Sequence, residues 1–227
     1  MSLNDDRQVP LPVPGLAAGG PLRPELPVWG LLGRLLLMAL GYIFVVPAPW
    51  TTTYFYRFMA DNVRLPDGRR LSFAGQPLDI WYVLMGLALL AWAHHSKIAV
   101  VAVAATLASW ALAMLAMRWF CASLRSEDGR LQIALHADIP TYIGLNILLL
   151  LSIVTIVGWA WVLRYIAQWL CRSVRGSHAF EFTGTGLEIL WRFVVFGLAS
   201  MLIVPIPWML RWFSSWFISQ ISVSERT

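Results

Sequence analysis

Apolar residues gather in five long runs, near residues 30–47, 80–93, 98–117, 143–163 and 189–210, and the short stretches between them hold most of the charge. Runs of about 18 or more apolar residues with few charges read as bilayer-spanning helices. Each run also contains or meets a break. Pro47 and Pro49, and again Pro205 and Pro207, remove backbone donors and turn the preceding residue away from the helical region. The polar stretch His94-His95-Ser96-Lys97 separates the second run from the third, and Gly158 interrupts the fourth. Three segments outside the runs alternate with a period of two: Arg70–Phe73, Arg130–Leu135 and His178–Phe182. These read as short strands, two of them preceded by the turn dipeptides Asp67-Gly68 and Asp128-Gly129. They are expected to pair in a small sheet outside the bilayer.

The pattern repeats. Phe73-Ala-Gly75-Gln-Pro-Leu78-Asp79-Ile80 returns as Phe182-Thr-Gly184-Thr-Gly-Leu187-Glu188-Ile189, and the same offset of 109 superimposes Trp50 on Trp159 and Tyr56 on Tyr165. Trp119-Phe-Cys121-Ala-Ser123-Leu-Arg125 matches Trp169-Leu-Cys171-Arg-Ser173-Val-Arg175. Asn62-Val-Arg64 matches Ser123-Leu-Arg125, and Val46-Pro-Ala-Pro-Trp50 matches Val204-Pro-Ile-Pro-Trp208. Internal repeats mean one unit used several times. Four related units follow, each with an apolar helix, a break, a second helix ending in an Arg-bearing stretch, and usually a short strand.

Composition supports a membrane class. Of 227 residues, 59% are hydrophobic and only 13% charged, against about 25% charged in soluble domains. The 13 Trp cluster at run ends, as in the aromatic belts of membrane interfaces. The net charge is +5, carried by 16 Arg and the single Lys97. If each unit is a helical hairpin, one side holds Arg57, Arg64, Arg69, Arg70, Arg118, Arg125, Arg130, Arg172 and Arg175, and the other holds Lys97. The positive-inside bias places the first side in the cytoplasm. Arg164 and Arg211 follow closely on their breaks, so some second arms are expected to be interfacial or re-entrant. The expected fold is an all-α polytopic membrane protein of the bacterial inner membrane. It would have degenerate helix-break-helix repeats, four to eight crossings and a small cytoplasmic strand-bearing face. Residues 1–28, rich in Pro and Gly and without a secretory signal, are expected to form an arm. Residues 29–222 would form one transmembrane domain and residues 223–227 a polar tail.

The residues Pro49-Trp50, Tyr56-Arg57, Asn62-Val63-Arg64, Phe73-Ala74-Gly75 and Leu78-Asp79 form a pattern that returns at Gly158-Trp159, Arg164-Tyr165, Phe182–Gly186 and Leu187-Glu188. In this respect the chain resembles the YjgN-like family of bacterial inner-membrane proteins across roughly residues 30–210. It departs from that family at Thr51-Thr52-Thr53, where the family is Arg/Lys-rich, and at Pro77 in place of the second glycine. The resemblance implies an architecture and brings no established activity.

Candidate chemistry is sparse. Trp50, Arg57, Asp61, Arg64, Arg118, Arg125, Trp159, Arg164, Arg175 and Trp208 are candidates for contact with lipid headgroups or a partner, since guanidinium forks suit phosphate and indoles suit the interface. Arg57 and Asp61 are spaced to pair on a helix. Asp79 and Glu188 stand at helix starts, where a carboxylate is stabilised by free N–H groups and the helix dipole. Cys121 and Cys171 make neither a disulfide framework nor a zinc spacing. His94 and His95 do not share a helix face, and Ser177-His178 lacks a nucleophile elbow. No catalytic, cofactor-binding or metal-binding motif is present. The sequence therefore predicts a non-enzymatic accessory or scaffold subunit that binds membrane lipids and a membrane-protein partner or a second copy, and no nucleic acid. A small-solute channel or transporter is the alternative, because pseudo-symmetric repeats with broken helices are common in transporters.

Overall fold

The breaks cut the apolar runs into pairs of helices. The structure is a computed structural model that describes residues 19–155 and 157–225. Two short strands, β1 (Gly20–Pro21) and β2 (Arg23–Pro24), precede the first helix pair, α1 (Val28–Phe44) and α2 (Ala48–Asp61), which ends in β3 (Val63–Arg64). The second unit runs β4 (Leu71–Phe73), α3 (Trp81–Ala93), α4 (Ala99–Ser123) and β5 (Leu124–Ser126). The third runs β6 (Ile133–Leu135), α5 (Ile139–Ile153), α6 (Trp159–Ser173) and β7 (Val174–Gly176). The fourth runs β8 (His178–Phe182), α7 (Gly186–Ser200), α8 (Ile206–Ser219) and β9 (Ile221–Glu225).

Every unit is thus strand, helix, helix, strand, and its two strands pair antiparallel. Pro24 lies opposite Val63, Phe73 opposite Leu124, Leu135 opposite Val174 and Phe182 opposite Ile221. One backbone hydrogen bond recurs at each base: Glu25 N to Asn62 O (2.8 Å), Ala74 N to Ser123 O, His136 N to Ser173 O and Thr183 N to Gln220 O (each 2.9 Å). The accepting residues fix the true register of the repeat, because each stands at the end of a second arm.

The units close into a ring. The second arm of each packs on the first arm of the next, α2 on α3, α4 on α5 and α6 on α7, and α8 returns to α1. β1 seals the seam by pairing with β9, Gly20 opposite Val223 and Pro21 opposite Ser222. The N-terminal arm expected over residues 1–28 is therefore partly structural; residues 1–18 lie outside the described residues. At the other end Ile221–Glu225 is strand.

This architecture corrects the all-α polytopic expectation. Eight helices share the described residues with nine strands in four sheets. Among the described residues only α4, with 25 residues, is long and apolar enough to cross a membrane, whereas α1, α3 and α5 are shorter apolar helices. The expectation of four to eight crossings fails for a physical reason. A helix rises 1.5 Å per residue, so the 13 residues of α3 reach about 20 Å and the 17 of α1 about 26 Å, short of a hydrocarbon core of about 30 Å. Pro47, the break ahead of Trp159 and Pro205 interrupt the other runs before they reach that length.

The break is built alike in units one and four, and it carries strain. Val45 (φ 63°) and Ile203 (φ 37°) occupy equivalent places two residues before Pro47 and Pro205, both in the left-handed region. β-branched residues are costly there, by on the order of 1–3 kcal/mol each. Val45→Gly and Ile203→Gly are each expected to raise the unfolding free energy by about 1 kcal/mol, read as a higher urea midpoint at unchanged slope. A lower midpoint for both would show that these side chains gain more from packing than their backbone costs. Below the break, the arms of the first unit approach closely. A Cβ on Gly41 would lie 2.0 Å from Thr51 Oγ1, so that glycine sets the spacing of α1 and α2.

Candidate functional site

The repeat motif positions loops, and it does so with a ring and a glycine. Phe73 and Phe182 are each the last residue of a strand, 6% and 2% exposed. The glycine two residues on packs against that ring: a Cβ on Gly75 would lie 2.6 Å from Phe73 Cζ, and one on Gly184 would lie 2.7 Å from Phe182 Cζ. Of the carboxylates that follow, Glu188 caps its helix, whereas Asp79, expected at a helix start, closes the turn ahead of α3, whose N-cap Ile80 has no side-chain cap. Asp79 Oδ2 accepts from Gln76 N (2.8 Å) and from Trp119 Nε1 (3.2 Å). Glu188 forms a capping box with Thr185, each side chain bonding the other's backbone N–H. The Glu188 carboxyl is held below its usual range, chiefly by the Thr185 backbone N–H. Asp138 does the same work at the start of α5, accepting from Thr141 N at 2.9 Å.

Two of the candidate arginines fasten neighbouring units. Arg57 Nη2 donates to Gly75 O at 3.1 Å, and Arg118 Nε donates to Ala137 O at 3.2 Å. Each stands five residues before the end of its second arm and reaches the loop that enters the next unit. The expected Arg57–Asp61 pair is not formed, because Arg57 turns to Gly75 and Asp61 faces solvent. Arg64 pairs with Glu25 at 2.9 Å, and Arg125 Nη1 donates to Ala122 O and Leu124 O. Arg125 and Arg175 meet with His136 around an open surface pocket. Arg164 lies apart in α6, half-buried, with no partner for its Nε. Trp50 and Trp208 stand half exposed near the hairpin turns, Trp208 against Trp29 at 5.7 Å. Trp159 stacks edge-on to Phe193 at 5.0 Å. The ten candidates therefore do not converge on one site.

Sequence reading missed two arrangements. The first is a charged knot among the strands. The Arg69 guanidinium pairs with Asp67, Asp128 and Glu225, the last at 3.3 Å. These acids come from units one, two and four, so one cation ties three parts of the ring. A hydrogen bond from Ser126 and then the Arg130 backbone N–H and Arg69 bring the Asp128 carboxyl down to about 2, and Arg69 lowers Asp67. His178, 4% exposed, lies beside the knot with Nε2 3.7 Å from Glu225 and Nδ1 2.8 Å from Ser177 Oγ. That order superficially resembles a hydrolytic triad. Ser177 Oγ, however, accepts from Gln132 N (3.0 Å) and donates to Gln132 O (3.3 Å), so its lone pair and proton join β6 to β7. The recurring Asp-Gly-Arg of residues 67–69 and 128–130 was the available signal for this knot.

The second arrangement is a cavity of about 350 Å³ at the centre of the ring. Its wall is the repeat itself. One tier is Met59, Phe120, Leu170 and Phe217; the next is Ala60, Cys121, Cys171 and Ile218; a third is Val63, Leu124, Val174 and Ile221. Within each tier the four residues hold the same place relative to Asn62, Ser123, Ser173 and Gln220, so the cavity lies on the pseudo-fourfold axis. All of its lining residues are apolar, or are Met and Cys.

Comparison with protein-family models, with curated proteins and with solved structures gives no match. Function must therefore be argued from these arrangements alone. Among the described residues no group of three or more His, Cys, Asp or Glu is placed to hold a metal ion.

Proposed function

We propose that the protein is a non-enzymatic accessory or scaffold subunit of the bacterial inner membrane, similar in kind to the YjgN-like proteins its motifs resemble. In this reading it holds lipid and presents its charged strand face to the cytoplasm. The observation that supports it most is the distribution of exposed apolar surface. The turn of every hairpin exposes large apolar side chains: Phe44 and Val46, Ile98 and Val100, Val154 and Val157, and Met201 to Val204, the last four 70–81% exposed. The outward sides of the first arms add Leu36, Leu40, Leu151 and Leu198. Contiguous apolar surface on this scale marks a membrane or partner contact. The strands at the hairpin bases carry Arg64, Arg125 and Arg175, which suits an anionic leaflet surface. The α3–α4 hairpin reaches deepest and the shorter hairpins enter without crossing. An all-apolar axis offers no path for an ion.

Expression of the full chain in bacteria, followed by carbonate washing of the membranes, tests this. The protein is expected in the washed membrane fraction and released by detergent. Recovery in the carbonate supernatant would overturn the reading. In a background lacking Cys121 and Cys171, Arg125→Cys should react with an impermeant thiol reagent only after lysis.

A further inference from the structure

The chemistry of the axial cavity narrows what can occupy it. Water is excluded as a filler, because a water needs two to four polar partners and apolar cavities of this kind stay dry. A polar or charged ligand is excluded for the same reason. At about 350 Å³ the space is more than twice the ~150 Å³ that holds a benzene ring. Scaled from the six carbons of that ring, this is room for about a dozen carbons. At about 350 Å³ the cavity is too small for even one turn of a partner helix, which at a diameter of about 10–12 Å and a pitch of about 5.4 Å takes more than about 400 Å³.

We propose that the cavity holds one linear hydrocarbon chain of about a dozen carbons, supplied by a membrane lipid and lying along the pseudo-fourfold axis. The source of the chain rests on the membrane reading above; the site itself does not. The tier Ala60, Cys121, Cys171 and Ile218 surrounds the chain at one level, and the small side chains at three of its four places keep the axis open. Leu65 and Leu131, each 1% exposed, close the space among the strand loops. Beyond Leu65 lies a polar pocket of about 220 Å³ that also contains Asp67, Arg69, His178 and Glu225. Its one arginine is already shared among carboxylates, and Leu65 separates it from the axial space.

The test uses the unmodified full chain in vesicles of phosphatidylethanolamine and phosphatidylglycerol that contain a diazirine-bearing twelve-carbon alcohol. After illumination, adducts are mapped by peptide mass spectrometry. Adducts are expected in the axial segments 59–60, 120–121, 170–171 and 217–218, and excess unlabelled dodecanol should reduce them at least fivefold. Adducts on the outward segments 36–44, 148–154 and 198–204 report bulk lipid and should not respond to that competition. Ala60→Phe, which fills the axis, should lower the axial adducts about tenfold. Absence of axial adducts, or axial adducts that dodecanol does not displace, overturns the site. Axial adducts without outward ones would keep the site and sink the membrane reading; the reverse pattern would do the opposite.

Discussion

Gly176→Ala is expected to be the most damaging single-methyl change in the chain, lowering stability by about 3 kcal/mol or more. Gly176 has φ 139°, a region that other residues adopt only under strain. It lies opposite Ile133 in the β6–β7 pair. A Cβ there would sit 2.0 Å from Gln132 O and 2.9 Å from Ile133 Cα. Both are backbone atoms of the partner strand, so neither can rotate aside. Strain of this kind costs about 1–3 kcal/mol by itself, and the clash adds the loss of part of the strand pair. The check is a urea or thermal melt of the purified variant beside Gly129→Ala. Gly129 also has positive φ, 70°, but has open space around it, so its loss should be limited to about 1 kcal/mol. Equal losses for the two variants would refute the argument from strand contact.

The second expected result concerns the charged knot. Arg69→Met should destabilise the protein by about 1–2 kcal/mol at neutral pH. The figure is held below that for a fully buried pair because Asp67 and Glu225 are each 41% exposed and solvent screens them. The damage goes beyond one lost pair, since the substitution leaves Asp67, Asp128 and Glu225 facing one another. The pH dependence follows from the sign of the shifts. The Asp67 and Asp128 carboxyls are lowered in the folded protein, Asp128 to about 2. Their contribution is fully present above about pH 4, the range where free carboxyls titrate. It is lost as pH falls from there toward 2. The gap between wild type and Arg69→Met should therefore be widest above pH 4 and should close on acidification. A gap that stays constant down to pH 2 would mean that Arg69 acts through packing of its stem.

The repeat was legible because it rests on residues with strong individual signatures. The Phe-x-Gly motif, the Pro-x-Pro-Trp break and the Cys-x-Ser-x-Arg stretch each recur at fixed offsets, and each occupies equivalent places in the ring. Strands were legible only where several residues alternate, as in His178–Phe182. β2, β3, β5 and β7 have two or three residues each, too few to show a period. Their pairing comes from the helix ends they continue, which no local pattern records. The all-α expectation failed on the same point, and on counting apolar runs without subtracting what each proline removes. The axial cavity was invisible for a different reason. Its walls are ordinary core residues until the four copies are superimposed, when Ala60, Cys121, Cys171 and Ile218 fall on one circle. Arg34 and Arg192 were passed over within apolar runs. They lie over aromatic rings, Arg34 4.1 Å from Phe58 and Arg192 4.1 Å from Trp216, so their charge is masked by cation–π contact.

The closed ring also bears on how such a molecule can change. Four like units around an axis are the covalent counterpart of a cyclic homotetramer, in which every subunit must alter together because one gene specifies all four. Joined in one chain, each unit answers to its own codons. The second unit could lengthen its arm to 25 residues while the other second arms stayed at 14 or 15, and one seam could rely on Arg57 while the last relies on β1. Covalent joining leaves the units free to differ, and the longer α4 of the second unit is one such difference.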